Sequence, residues 1–419
     1  MNVLVINQCA HNKGDRAVLA FLLHELVRNG ITSITVSTSE PRFWGAHDVQ
    51  GLDADISFIP WGWAGSGGAA VSALQSIPRR LYQRWMTRVA YPALRRALLA
   101  DQAGLSPRLA CNRQFRHALE HADLVISTGG HHVTTLLAPD AISPQLFDMG
   151  LTLLAGKPLV CWSQSFGPFD FQTEENKAFV TRVMNRAACL YTRDHASVDR
   201  LQALGVEPSQ IRPTLESVIA LSDVLENTLP PSERPPVLGI AVYAVKRRTP
   251  EEYRHYINSL ATLVDAAGAA GYTTRFFPMA IRGTAADDRP LIRDIIAASH
   301  QQNRCVLIDE DLPTVTHLAE VAQCRMFAGH KTHSVIFALT TATPLIALAY
   351  HVKTVDFMRQ YALADYAIPD EELTGDALTN LFTRLDQHLD AVSRQQQQQT
   401  REFSDVIHRD FSQMLTRVR

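Results

Sequence analysis

Segments with the pattern of buried β-strands alternate along this chain with segments of helical periodicity. The first strand pattern covers residues 3–7, and residues 17–27 follow it with apolar side chains three and four positions apart. A second run of the same alternation begins with the strand pattern at residues 237–242. Because strands separated by helices align in parallel within a sheet, the alternation predicts an α/β fold with parallel sheets.

The length of 419 residues is sufficient for two α/β domains, each with its own core. Residues 229–236 contain two pairs of prolines, which favour an extended and stiff chain. We therefore predict an N-terminal α/β domain at residues 1–228, a Pro-rich linker at 229–236, a C-terminal α/β domain at 237–385 and a C-terminal helical segment at 386–419. The two Rossmann-like domains are expected to face a cleft.

The charge and the cysteine content exclude several classes of protein. A net charge of −2 and a pI near 6.8 give no support for binding of nucleic acid. The six cysteines are scattered without C-x-x-C spacing, which argues against a zinc ribbon or a secreted disulfide framework. No segment is apolar enough to span a bilayer, and no signal-peptide pattern precedes the first strand. We therefore expect a cytoplasmic protein, and the sequence predicts no cofactor.

The segment at residues 326–353 combines cationic and proton-transferring side chains with an apolar run. His330, Lys331 and His333 lie at the start of a helical pattern, so the positive end of that helix should lie close to them, with Thr332 as N-cap. A helix end of this kind binds phosphate or carboxylate. The alternative is that Lys331 is solvated and that the histidines donate to loop carbonyls.

A pair of glycines and a pair of histidines follow another strand pattern, at residues 122–128. Gly129 and Gly130 would let a ligand approach the main chain, while His131 and His132 can donate to sugar hydroxyls or transfer protons. No carboxylate accompanies these histidines at the spacing of metal ligands, so the sequence predicts no metal site.

Three more strand patterns, at residues 159–164, 188–191 and 345–350, end in polar residues that suit a binding site. In open α/β sheets, ligands bind at the carboxyl ends of the strands, and a guanidinium there can pair bidentately with a carboxylate or phosphate. The polar residues at these strand ends are Gln164, Ser165, Arg193, Tyr350 and Lys353.

Residues 77–99 predict a basic amphipathic helix. Its apolar stripe is Leu81, Trp85 and Val89. Its cations are Arg80, Arg84, Arg88, Arg95 and Arg96. A helix of this kind suits the anionic inner face of a membrane, where each cation contributes on the order of 1 kcal/mol. The alternative is a helix that packs on its own domain and exposes its arginines to water.

Four motifs in the chain resemble signatures of the polysaccharide pyruvyl transferase family. They are the turn Asn12-Lys13-Gly14-Asp15, the turn Gln164-Ser165-Phe166-Gly167-Pro168, the segment Arg193-Asp194-His195-Ala196-Ser197, and the block Lys331-Thr332-His333 with Pro344, Tyr350 and Lys353. Two positions depart from the family pattern: Lys331 stands where an arginine is usual, and Glu216 stands where an aspartate is usual.

The resemblance implies a GT-B-like architecture and transfer of the pyruvyl group from phosphoenolpyruvate to a sugar, during assembly of an exopolysaccharide or capsule. The acceptor would be a polysaccharide or a lipid-linked oligosaccharide bound by the N-terminal domain. As a hypothesis, Arg193 and Lys331 hold the carboxylate and phosphate of the donor, and His333 acts as general acid or base. The predicted substrate-binding residues are Asn12, Lys13, Asp15, Gly129, Gly130, His131, His132, Gln164, Ser165, His330, Tyr350 and Lys353.

Two other functions stay open at the level of sequence. A nucleotide-sugar glycosyltransferase of the same architecture would bind ribose through a Glu or Asp on a C-terminal-domain helix, and residues 331–353 contain no such residue. A noncatalytic protein of polysaccharide assembly would account for the departures at Lys331 and Glu216.

Overall fold

The computed structural model describes residues 1–9, 12–45, 48–63, 81, 84–102, 104, 111–225, 229–244, 248–281, 287–350 and 352–418. Contacts between residues divide the chain into two compact units. The first unit comprises Met1–Ala10, Asp15–Ser217 and Val406–Arg419, and the second comprises His11–Gly14 and Val218–Asp405.

The first unit is built on a parallel sheet. Its strands are β1 (Asn2–Gln8), β2 (Ser33–Thr38), β3 (Asp55–Pro60), β4 (Leu124–Ser127), β5 (Gly130–Val133), β6 (Leu159–Phe166), β7 (Cys189–Thr192) and β8 (Ile211–Pro213). The order across the sheet is β3-β2-β1-β4-β6-β7-β8, and β5 pairs with β6 outside this path. Every residue of β6 is buried, as expected for a central parallel strand whose two faces are both covered.

Helices connect these strands. They are α1 (Lys13–Arg28), α2 (Tyr91–Leu99), α3 (Arg113–His121), α4 (Pro144–Leu154), α5 (Glu174–Arg186) and α6 (His195–Leu204). A single π-helical turn at Met86–Ala90 leads directly into α2. The helices begin where the local sequence favours it: Asn112, Ser143, Thr173 and Asp194 each accept a backbone hydrogen bond as N-cap.

The second unit contains a second parallel sheet. Its strands are β9 (Val237–Ala241), β10 (Thr273–Phe276), β11 (Cys305–Leu307), β12 (Met326–Gly329), β13 (Leu345–Ala349) and β14 (Ala367–Pro369), in the order β11-β10-β9-β12-β13-β14. Its helices are α7 (Pro250–Ala269), α8 (Arg289–Ala298), α9 (Thr314–Ala322), α10 (Thr332–Thr340), α11 (Val352–Gln360) and α12 (Gly375–Asp386). The two parallel sheets confirm the predicted α/β class.

The last helix, α13 (Leu389–Val418), contributes to both units along its length. Within the second unit, Ser393 donates to the carbonyl of Ala342 over 2.7 Å. Within the first unit, Phe411 is fully buried and packs edge-on against Trp162 with ring centroids 4.7 Å apart. Residues 406–419 therefore belong to the first unit, although the sequence places them in a separate C-terminal segment.

The predicted linker at residues 229–236 lies inside the second unit. Its Arg234 is almost completely buried and donates to the carbonyls of Leu229 and Cys324 and to the hydroxyl of Thr343. These hydrogen bonds from a buried guanidinium hold residues 229–236 in place, so this segment is part of the second unit and not a linker between units. The unit boundary instead falls between Ser217 and Val218.

The helical segment around residues 84–99 buries a different face from the predicted one. Met86, Ala90, Tyr91, Leu94 and Leu98 lie in the core of the first unit. Of the predicted apolar stripe, Trp85 is half-buried against this core, whereas Leu81 and Val89 are 53% and 49% exposed. Arg80 lies outside the described residues. Among the helices that the structure describes, none has the length and apolar composition needed to cross a bilayer.

Candidate functional site

The turn between β12 and α10 carries the cationic motif of the second unit. Strand β12 pairs in parallel with β9 and β13, so His330 and Lys331 lie at the carboxyl edge of the sheet. Thr332 is not the N-cap: Lys331 occupies that position without a capping side-chain bond, and α10 begins at Thr332. The Thr332 hydroxyl lies 3.1 Å from the hydroxyl of Thr354.

Lys331 is anchored by a buried carboxylate. Its Nζ donates to both oxygens of Asp288, over 2.9 and 2.7 Å. The Asp288 side chain is fully buried and also accepts from the backbone N–H groups of Met279 and Ala280. Sequence reasoning missed this partner, because nothing in a local pattern identifies the cation that a buried carboxylate will meet. Lys331 is therefore neither solvated nor free to rotate.

His330 is fully buried next to the same turn. Its Nδ1 lies 2.7 Å from the hydroxyl of Tyr256, and its Nε2 lies 3.4 Å from Asp370. Burial, together with the nearby charges of Arg248 and Lys331, lowers the pKa of His330 to about 3. The imidazole is therefore neutral at physiological pH and suits a structural role at the sheet edge better than proton transfer.

Tyrosines surround this edge of the second sheet. Tyr350, which is 40% exposed, has its ring centroid 4.6 Å from that of Tyr243 and 5.6 Å from that of His330. The Nζ of Lys331 lies 5.5 Å from the centroid of Tyr243, within the range of a cation–π contact. Lys353 is half-buried in the first turn of α11.

A cavity of about 690 Å³ opens beside these side chains in the second unit. Arg248, Tyr256, Tyr350 and Asp370 contribute to its wall. The guanidinium of Arg248 lies 3.7 Å from the ring centroid of Tyr256 and donates to both oxygens of Asp370. The exposed part of Tyr350 therefore faces a space large enough for a small ligand.

The first residues of α1 and the preceding Asn12 meet the cationic motif within the second unit. A Cβ atom added to Gly14 would lie only 2.2 Å from Nδ1 of His333, so the backbone of Gly14 sits directly against the half-buried imidazole ring. Asn12 forms an antiparallel bridge with Ala280, and its Oδ1 accepts from the N–H of Gly14 over 2.9 Å. Two motifs that are distant in sequence therefore come together at His333.

Lys13 is buried, and its side chain contacts two other residues of the second unit. Its Nζ lies 3.1 Å from Nδ1 of His317 and 3.9 Å from a carboxylate oxygen of Asp311. These contacts hold the start of α1 within the second unit. Asp15 belongs to the first unit, where its carbonyl accepts from the side chain of Gln8 over 3.1 Å.

In the first unit, Arg193 and Ser165 form a compact polar network at the ends of β6 and β7. Arg193 Nε donates to Ser165 Oγ over 2.9 Å, and Ser165 Oγ donates to Asp194 over 2.5 Å. Arg193 Nη1 also donates to Glu216 over 2.6 Å. The Glu216 side chain is fully buried, so it compensates the charge of Arg193. Glu216, which stands where the family usually has an aspartate, is therefore the partner of Arg193. No local sequence pattern could have identified this pair.

The segment Gly129–His132 joins the same region, because Gly130 pairs with Gln164 where β5 and β6 run in parallel. Neighbouring atoms leave no room for a side chain at either glycine. A Cβ at Gly129 would lie 2.7 Å from the carbonyl of Ser163, and one at Gly130 would lie 2.4 Å from His132. Both side chains at positions 131 and 132 contact main-chain carbonyls, those of Gly167 and Gly129 respectively.

His132 is buried next to the charge of Arg193. Burial is the larger effect, and together they lower the pKa of His132 to about 4. Among the residues that the structure describes, no three His, Cys, Asp or Glu side chains converge as metal ligands.

The sequence-predicted residues therefore fall into two groups. The second unit brings together Asn12, Lys13, His330, Lys331, His333 and Tyr350, with Asp288 and Tyr243 as the additional members that sequence reasoning missed. The first unit brings together Gly129, Gly130, His131, His132, Gln164, Ser165 and Arg193, with Asp194 as an additional member.

Comparison of the sequence with known families gives one match over most of the chain. A sequence model of the polysaccharide pyruvyl transferase family matches residues 12–352. The chain is also 21% identical over 268 residues to the amylovoran biosynthesis protein AmsJ of Erwinia amylovora. That match covers 61% of this chain and 63% of AmsJ, so the chain aligns with less than two thirds of this relative.

Comparison of the structure with solved structures identifies the fold. The UDP-GlcNAc 2-epimerase of Neisseria meningitidis, bound to UDP-GlcNAc, is similar with a TM-score of 0.59 and 10% identity over 99% of this chain and 100% of the epimerase. HepE of Anabaena, in complex with UDP and glucose, is similar with a TM-score of 0.55 and 12% identity over 99% of both chains. At these identities the likeness shows a GT-B-like fold and nothing about the reaction.

Proposed function

Because this chain belongs to the polysaccharide pyruvyl transferase family, we propose that it transfers the pyruvyl group of phosphoenolpyruvate to a sugar. The acceptor is a polysaccharide or a lipid-linked oligosaccharide. Two hydroxyl oxygens of the sugar bond to C2 of the donor, C3 gains a proton and becomes a methyl group, and the C2–O bond to phosphate breaks. The products are a cyclic pyruvate ketal and inorganic phosphate, and the second hydroxyl proton leaves with the phosphate or the solvent.

The turn that contains Lys331 and His333, at the N-terminus of α10, carries this proposal. A helix N-terminus attracts the carboxylate or the phosphate of the donor, and the Lys331 ammonium adds a positive charge at a fixed position. Asp288 fixes this ammonium and balances part of its charge. The geometry therefore supports an anion site that is held in place before the substrate arrives.

His333 is the candidate for proton transfer in this group. It lies in the first turn of α10, is half-buried, and has Gly14 against its ring. In the proposed reaction it donates a proton to C3 of the donor or accepts one from a sugar hydroxyl. The neighbouring His330 is a poorer candidate because it is buried and stays neutral far below pH 7.

In the first unit, Arg193 is proposed to bind an anionic group of the substrate. Ser165 and Glu216 fix its guanidinium through Nε and Nη1. A guanidinium has five N–H donors, so this arrangement leaves donors for a carboxylate or a phosphate. The nearby main-chain contacts of His131 and His132 favour a supporting role for these two histidines in shaping the strand ends.

Ligand-dependent thermal unfolding tests the donor. We expect phosphoenolpyruvate to raise the unfolding midpoint, since a ligand at ~100 times its dissociation constant adds about 2.7 kcal/mol to the native state. Lys331→Ala and Arg193→Ala should each reduce the shift in the unfolding midpoint. His300→Ala should preserve this shift, because His300 is exposed and lies after α8, outside the proposed site. Stabilisation by UDP and not by phosphoenolpyruvate would instead indicate a nucleotide-sugar glycosyltransferase.

Turnover tests the role of His333. Phosphate release from phosphoenolpyruvate in the presence of acceptor oligosaccharides should be lost in His333→Ala and kept in His300→Ala. Proton transfer contributes about 10²–10⁴-fold to such reactions, so a His333→Ala protein with more than about a tenth of the wild-type rate would contradict the assignment.

A further inference from the structure

One surface of the first unit has an unusual composition, and we define it by Leu81, Arg84, Arg88, Val89, Arg96 and Leu99. All six side chains are exposed. They follow one face of the segment that contains the π-helical turn and α2, while the opposite face packs into the core of the unit. The surface therefore lies on a firmly anchored segment and presents cations and apolar groups together.

The cations of this surface are available to an external partner. Among the residues that the structure describes, no acidic side chain pairs with Arg84, Arg88 or Arg96, while the Nε of Arg96 donates to the carbonyl of Pro92 over 3.3 Å. Arg95 differs from these three: it pairs with Glu175 over 3.3 Å and lies 5.5 Å from the ring centroid of Phe179. Arg95 therefore stabilises the packing of α2 on α5 and does not belong to the exposed surface.

Two more leucines of the first unit are exposed outside this segment. Leu136 and Leu137 are each 71% exposed, more than any other large apolar side chain that the structure describes. On the defined surface itself, Leu81, Val89 and Leu99 are exposed among arginines without acidic partners, and such a mixture of apolar and cationic groups indicates a partner that accepts both.

We propose that this surface binds the surface of an anionic lipid bilayer. The arginines would lie at the level of the lipid headgroups, and the leucines and Val89 would enter the boundary between the headgroups and the acyl chains. A protein partner would need acidic groups matched to three separate arginines, whereas anionic lipids diffuse to each cation. This inference concerns binding alone and goes beyond the transfer reaction proposed above.

Cosedimentation of the full chain with lipid vesicles tests the proposal. We expect binding to vesicles of phosphatidylcholine and phosphatidylglycerol, weaker binding to phosphatidylcholine alone, and a decrease at high salt. Each cation near an anionic surface contributes about fivefold to partitioning, so Arg84→Gln/Arg88→Gln/Arg96→Gln should reduce it about 100-fold.

The matched control removes three positive charges from the second unit. Arg254→Gln/Arg304→Gln/Arg401→Gln changes three exposed arginines of the second unit that pair with no acidic side chain among the described residues, and it should keep partitioning within about twofold of wild type. A folded wild-type protein that fails to bind the anionic vesicles at low salt overturns the proposal. An equal loss in the control triple variant also overturns it, because the binding would then follow net charge and not this surface.

Apolar insertion is tested separately. Leu81→Ser/Val89→Ser/Leu99→Ser keeps every charge and should reduce partitioning at least roughly tenfold, since it removes apolar area that the lipid would bury. Unchanged partitioning in this variant would contradict insertion. Unfolding midpoints verify that each variant is folded, and sedimentation without lipid must give the same oligomeric state for wild type and variants. A change in that state would identify the surface as a contact between copies of the chain and overturn the proposal.

Discussion

Lys331 donates hydrogen bonds to both carboxylate oxygens of Asp288, over 2.9 and 2.7 Å, and Asp288 is fully buried. The pair joins the N-cap position of α10 to the residue before α8, so one ion pair fixes the start of two helices. The Lys331 ammonium is therefore a positioned charge, which is the property that an anion site requires.

Replacing Lys331 alone should destabilise the protein. Lys331→Met leaves Asp288 buried without its cation, and we expect a loss of about 3 kcal/mol in the free energy of unfolding. Lys331→Met/Asp288→Asn should recover part of that loss because no charge is left buried. Urea unfolding of the two single variants and the double variant gives the coupling energy, and a coupling near zero would contradict the pairing.

Adding a methyl group at Gly14 should reduce activity more than stability. The new Cβ would lie 2.2 Å from Nδ1 of His333, so the imidazole must turn away from its position. We expect Gly14→Ala to lower the rate of phosphate release at least about tenfold, as a displaced proton-transfer group would.

The control for Gly14→Ala is Gly271→Ala in the same unit. Gly271 has a φ of 87° and nothing within 4 Å of an added Cβ, so this change strains the backbone without touching His333. We expect Gly271→Ala to cost about 1 kcal/mol of stability and to leave the rate unchanged. Equal loss of rate in both variants would show that activity follows stability and not the His333 contact.

Arg193 and Glu216 should show strong energetic coupling. Arg193→Gln leaves the Glu216 carboxylate fully buried without its guanidinium, and we expect a loss of about 3 kcal/mol. The double variant Arg193→Gln/Glu216→Gln should be more stable than Arg193→Gln. Urea unfolding measures this difference, and a double variant that shows the sum of two independent losses would contradict the coupling.

Stability should depend on pH through Asp148. This side chain is fully buried, and burial raises its pKa to about 8, although the N–H groups of Gly62 and Trp63 both donate to it. Its folded pKa is above its unfolded value, so its contribution to stability is complete below about pH 4 and declines as the pH rises through 8.

Asp148→Asn tests this dependence because the amide cannot ionise but its oxygen can still accept from the backbone. Between pH 6 and pH 8 we expect wild type to lose roughly 2–3 kcal/mol relative to Asp148→Asn, at up to about 1.4 kcal/mol per pH unit. Unfolding free energies of both proteins over this range provide the measurement. Parallel profiles would show that Asp148 does not titrate there.

The features that the sequence determined are those encoded in neighbouring residues. Strand and helix periods predicted two parallel α/β sheets, and the polar residues after each strand predicted which positions lie at the carboxyl edges. Lys331 and His333 were placed at the start of a helix because an apolar helical pattern follows them. Four short motifs were sufficient to indicate the family.

Only the tertiary structure decided which of these residues meet. Asp288 pairs with Lys331, Glu216 with Arg193, and Gly14 contacts His333, although each pair is separated in the chain. Local patterns treat His330 and His333 alike, but burial makes the former neutral and leaves the latter half-exposed. The buried face of α2 was likewise decided by packing. Pairing and burial depend on the path of the whole chain, and the free energy of a buried charge depends on the partner that this path brings to it.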